Sequence, residues 1–157
     1  MGRRCAMSTI TQRWFAFIEV EDRSGASAAL TGVFSERGVS FGSVSTLDVH
    51  DGRGTMSVEF AASERLAQVL VRTLERLAVV VSVALVRADD AGVRAVAVLT
   101  GIPSEPEVPA EVSVHRHDDA AGGITMLVGP LPSVSAAVAE LRPRGATVQA
   151  LTVLPPR

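Results

Sequence analysis

Apolar positions along this chain recur with two periods, and the switches between them mark out its elements. Trp14 to Val20, WFAFIEV, is an apolar run rich in aromatic and β-branched residues and predicts a strand. Ala26, Ala29, Leu30, Val33 and Phe34 then return at helical spacing, with Ser24 as the expected N-cap and Gly38 as the left-handed stop. Phe41 to Val49 predicts a second strand containing the small residues Gly42, Ser43 and Ser45. Asp51-Gly52, inside HDGRG, is a hairpin signal. Met56, Val58 and Phe60 alternate with Ser57 and Glu59, so the third strand has one buried face. Ser63 is placed to cap a second helix, whose stripe is Leu66, Ala67, Leu70, Leu74 and Leu77. VVVSVALV, residues 79–86, reads as a buried strand.

The order is β-α-β-β-α-β. In an α+β chain this is the split-βαβ, ferredoxin-like arrangement, with both helices on one face of a four-stranded antiparallel sheet. The other face is left to solvent or to a partner. The turn-rich ADDAG, residues 88–92, leads to a second, shorter pattern. Strands are predicted at Ala95 to Leu99, Val112 to His115, Ile124 to Val128 and Ala146 to Val153, with a helix capped by Ser133 before the last. Its stripe is Val134, Ala137, Val138 and Leu141. Three prolines in GIPSEPEVPAE, residues 101–111, exclude a regular helix there. The second half thus repeats the first with its first helix replaced by a proline-rich loop. The expected division is a flexible tail at 1–12, a first domain at 13–89 and a degenerate second domain at 90–157.

Composition sharpens this division. The six aromatic residues, Trp14, Phe15, Phe17, Phe34, Phe41 and Phe60, all precede residue 61, which implies two separately built cores. The formal net charge is -2 with the signs well mixed, so no basic stripe invites nucleic acid. The apolar run Leu77 to Val86 is far too short to span a bilayer. A single cysteine, Cys5, excludes an intramolecular disulfide framework and fits a reducing, cytoplasmic compartment.

The step from the first strand into the first helix carries the candidate chemistry. A helix N-terminus has unsatisfied N–H groups and a partial positive charge, which suit a carboxylate or phosphate. Gly25 has no Cβ to block approach, and Asp22 beside it can pair with an ammonium group. Those two preferences together describe an α-amino acid held at Asp22 to Ser27. A phosphate fits less well, because no phosphate-loop glycine motif is present and Asp22 would repel it. The plainer alternative is that Gly25 only permits a tight turn and Asp22 is solvated.

Residue order also carries a family resemblance. EDRSGAS at 21–27, VFSERG at 33–38 with a strand directly after it, and LAVVVSVALVR at 77–87 resemble an ACT domain. The most similar is the N-terminal domain of the regulatory (small) subunit of acetolactate synthase. The likeness covers residues 13–90 and extends more loosely to 94–157, where GPLPSVSAAVAEL sits like the last helix of that subunit's second domain. It implies an ACT domain followed by a truncated ACT-like domain. It also implies a homodimer formed sheet edge to sheet edge, with an amino-acid effector bound at the interface. The protein would then have no active site or cofactor of its own. It would be an allosteric subunit in branched-chain amino acid biosynthesis, modulating a separate thiamine-diphosphate synthase. The implied ligand positions are Asp22, Ser24, Gly25, Ala26, Ser27, Ser40 and Phe41. Asp22 and Ser40 both stand where the small subunit usually has asparagine. Serine is shorter and lacks the amide donor, so a ligand hydrogen bond is lost there or passes through water.

Two rival readings stay open. One is a stand-alone ACT sensor or interaction module with another partner, with or without a ligand. The other is a small enzyme or metal site at His115 and His117, which face one side of a strand near Asp118 and Asp119. A solvated strand end explains those histidines equally well. Cys5, beside Arg3 and Arg4, is either a reactive thiol or an ordinary tail residue.

Overall fold

The computed structural model describes residues 10–156, and Cys5 lies outside the described residues. Two compact units divide at Arg87 and Ala88. The first contains β1 (Gln12–Glu21), α1 (Ala26–Glu36), β2 (Phe41–His50), β3 (Arg53–Ala62), α2 (Glu64–Glu75) and β4 (Val80–Arg87). The antiparallel sheet has the order β2-β3-β1-β4, so β1 is central and β2 is an edge. Trp14, Ala16, Ile18 and Val20 on β1 alternate onto one face with Met56, Val58 and Phe60 of β3. Leu30, Val33 and Phe34 of α1 and Ala67, Leu70 and Leu74 of α2 complete that core. The Phe34 and Phe60 rings meet at 5.2 Å, and the Trp14 indole N–H donates to the Ala62 carbonyl at 3.0 Å. The opposite face was expected to be left to solvent or a partner; there Phe15 is only 1% exposed and Phe17 is buried too. Their rings stack at 6.2 Å. Arg13 pairs with Glu59, and Arg53 with Glu19, on the same sheet.

Several local signals act as their chemistry predicts. Gly38 is left-handed at φ 67°, and the N–H groups of Gly38 and Val39 close back onto Ser35 and Phe34. This is the paired bond pattern that satisfies a helix's last carbonyls. Asp51 and Gly52 both have positive φ, as the two-residue hairpin turn requires. The Ser63 hydroxyl accepts from Leu66 N–H at 3.2 Å and caps α2.

The second unit contains β5 (Arg94–Thr100), β6 (Ser113–His117), β7 (Ile124–Pro130), α3 (Leu131–Leu141), a short 3-10 turn at Arg142–Arg144, and β8 (Thr147–Leu154). Its sheet order, β6-β7-β5-β8, repeats that of the first unit. α3 takes the place of α2, and residues 101–112 run without a helix where α1 would be. The core is Ala95, Ala97, Leu99, Leu127, Val134, Ala137, Val138 and Leu141, with no aromatic ring.

Specific bonds hold the 101–112 segment in place. The Arg116 guanidinium donates to the Ile102 carbonyl at 2.8 Å, and Ser133 donates to the Glu111 carboxylate at 2.6 Å. The Ser133 bond, followed by a backbone bond, lowers the Glu111 pKa below the usual carboxylate value. Ser133 therefore does not cap its helix, as the sequence predicted. α3 starts three residues earlier, directly from β7, with Leu131 N–H bonded to the Val93 carbonyl and Pro132 supplying no donor. Gly129 admits the segment's end: a Cβ there would lie 2.9 Å from the Glu111 carbonyl oxygen and 3.2 Å from Val112 Cα.

Gly129→Ala is accordingly expected to destabilise the second unit by about 1–3 kcal/mol through overpacking. Denaturant unfolding of the full chain measures this, and a wild-type midpoint would mean that the segment does not press on β7.

Candidate functional site

β1 delivers the chain to the turn, and the Asp22 N–H donates to the Gly52 carbonyl at 2.8 Å. The loop before α1 is thereby tied to the β2–β3 hairpin. The Ala26 N–H then bonds back to the Arg23 carbonyl at 3.2 Å, closing a four-residue turn. Gly25, its third residue, has φ 86° and ψ -5°. Those are the angles of a type II turn, whose third position favours glycine. Gly25 is itself the N-cap of α1, and no side chain caps this helix. Ser24 is therefore not the N-cap that the sequence predicted. The left-handed turn puts glycine at the helix boundary and moves serine one residue outside it.

The turn is open. Asp22, Arg23, Ser24, Gly25 and Ser27 are exposed and Ala26 is buried. A Cβ at position 25 would meet nothing within 4 Å, so the glycine is there for its backbone angles. Ser27 lies beside Met56, with its hydroxyl 3.9 Å from the sulfur. Arg23, which sequence reasoning passed over, adds a cation to the turn and pairs loosely with Glu21 at 3.5 Å. Its position two residues before Gly25 was the available signal.

Ser40 and Phe41 lie at the other end of α1. Phe41 starts β2, is 40% exposed and meets Phe34 edge-on at 6.3 Å. With Ser35, Gly38 and Val39 these two residues line a surface depression of ≈ 400 Å³. α1 has 11 residues. At about 1.5 Å per residue it separates the turn from Ser40 and Phe41 by about 16 Å. One chain therefore does not bring the seven predicted positions together. It places them in two groups, one at each end of the helix.

His115 and His117 are both exposed on β6. Asp118 accepts from Arg116 at 2.8 Å. Asp119 accepts from the N–H groups of Ala121 and Gly123, which, with a smaller contribution from His117, lower its pKa below the usual value. Both carboxylates are thus engaged locally. Among the described residues no group of three or more His, Cys, Asp or Glu is placed to hold a metal ion. No helix among them is long and apolar enough to cross a membrane.

Neither a family model nor a curated protein matches the chain. Solved structures do. The small subunit of acetolactate synthase from Thermotoga maritima superposes with a TM-score of 0.61 at 14% identity, over 90% of this chain and 92% of that one. The ligand-free regulatory subunit of aspartate kinase from Thermus thermophilus gives 0.46 at 20% identity, over 87% and 94%. The first likeness fixes the fold as two ACT-like, ferredoxin-type α+β units in tandem, as the sequence resemblance implied.

Gly25→Ala is expected to cost about 1–2 kcal/mol, because a Cβ strains a left-handed residue even where space is free. Gly25→Asn should cost less. Thermal unfolding of the two variants checks this, and equal stability of Gly25→Ala and wild type would contradict the turn geometry.

Proposed function

We propose that this chain is a non-catalytic regulatory protein that binds an amino acid between two copies of its first unit. The observation that carries this reading is the separation of the candidate positions along α1, beside an edge strand with one unpaired side. Antiparallel pairing of β2 with its own copy, centred on the strand, sets Phe41 of the partner subunit opposite His50. Ser40 of the partner subunit then approaches the Asp51–Gly52 turn, to which Asp22 is tied. A two-fold axis thus joins each turn to the other copy's strand start. In the joined site Asp22 takes the ammonium, and the uncapped first-turn N–H groups, with Ser24, Gly25, Ala26 and Ser27 around them, take the carboxylate. Exposed Phe41 and Val49 line it with apolar surface, which suits an aliphatic side chain such as that of a branched-chain amino acid.

The fold likeness to an acetolactate synthase small subunit supports a catalytic partner of the thiamine-diphosphate synthase type in the cytoplasm, tuned as the effector favours one dimer arrangement. Ser40 in place of asparagine and the missing helix of the second unit favour a second reading, an ACT module with a different partner.

The decisive experiment uses complementation. A ligand present at about 100 times its dissociation constant should stabilise the chain by about 2.7 kcal/mol. Thermal shift against the twenty amino acids finds it, and sedimentation establishes the dimer. Asp22→Ala and Ser40→Ala should each abolish the shift, and mixing the two variants should restore part of it, since one site of each mixed dimer is intact. A monomer, or a mixture as inert as its components, would overturn the shared site. A dimer that responds to no amino acid would favour the second reading.

A further inference from the structure

We infer that the outer face of β6 and β7 is a soft-metal site that takes a cuprous ion, with His115, His117 and Met126 as its donors. Exposure alternates along β6, so His115 and His117 share one side while Val114 and Arg116 take the other. Two residues apart on a strand means about 6.6 Å along it, close enough for two imidazoles to converge on one ion. The register then supplies a third donor. His115 lies directly opposite Met126 on β7, and His117 opposite Ile124. Thr125 and Leu127 are buried, so Met126, 38% exposed, stands on the histidines' side of the sheet. Directly opposed residues place their Cβ atoms about 4.5–5.5 Å apart, within reach of a flexible thioether.

The surroundings suit a soft ion. Met126 is flanked on β5 by half-buried Val98, and Ile124 borders it on its own strand. The one cation in the segment, Arg116, is held on the other side by Asp118 and the Ile102 carbonyl. Asp119 is occupied by backbone N–H groups. What remains is a donor set of two imidazoles and a thioether. Hard cations prefer oxygen donors, zinc gains little from a thioether, and Cu(I) accepts all three. The inference does not depend on the proposed amino-acid site.

The test is an anaerobic Cu(I) titration of the full chain against a chromophoric Cu(I) chelator, in a Cys5→Ser background so that the tail thiol makes no contribution. One Cu(I) per chain is expected. His115→Ala and His117→Ala should each weaken Cu(I) binding by about tenfold or more, and Met126→Leu should do the same for Cu(I) while leaving Zn(II) binding almost unchanged. All three positions are exposed, and unchanged thermal midpoints confirm intact variants. No competition with the chelator, binding that survives the double histidine variant, or a Met126→Leu variant with wild-type Cu(I) affinity would each overturn the site.

Discussion

Strand β1 is buried on both faces and hydrogen-bonded along both edges, and the first unit is organised around this constraint. A central strand exposes none of its backbone groups to water, so each must find a partner in β3 or β4. Alternation then sends Trp14, Ala16, Ile18 and Val20 beneath the helices and Phe15 and Phe17 to the opposite side. Wherever β1 ends, the chain must reverse over the sheet, and it does so in four residues at Arg23 to Ala26. The open turn is therefore a consequence of how the central strand is paired. Its uncapped helix start leaves donors available at the surface.

The second unit solves the same packing problem with less material. It keeps the sheet order but covers its inner face with one helix and an extended, proline-rich segment. An extended segment cannot satisfy its own backbone groups as a helix does. Side chains compensate: Arg116 reaches the Ile102 carbonyl, and Ser133 bonds Glu111 instead of capping α3. Gly129 removes the Cβ that would hold the segment off the sheet. Val, Ala and Leu suffice for the thin core that results.

The similarity in fold to a small subunit of acetolactate synthase comes at 14% identity, so it speaks for architecture and leaves the chemistry to this chain's residues. Those residues lie in two groups, a turn that offers donors and a carboxylate at one end of α1 and an aromatic beside a serine at the other. In the proposed reading the two groups meet only where an edge strand pairs with its copy, which would link ligand binding to assembly.

Much of this was legible in the chain alone. Element order follows from hydrophobic period, and Gly38, Asp51-Gly52 and Ser63 carry their own backbone or capping chemistry, so local sequence dictated local structure. The division of aromatic from aliphatic cores was equally plain. Tertiary structure decided the rest. Ser24 and Ser133 are good caps by type. At the first, a left-handed glycine took the helix boundary; at the second, Glu111, distant in sequence, took the hydroxyl. The seven candidate positions read as one site because they are close in sequence, but an intervening helix has a fixed rise and sets them at its two ends. Met126 faces His115 only through the register of β6 on β7, a long-range pairing that no local pattern encodes.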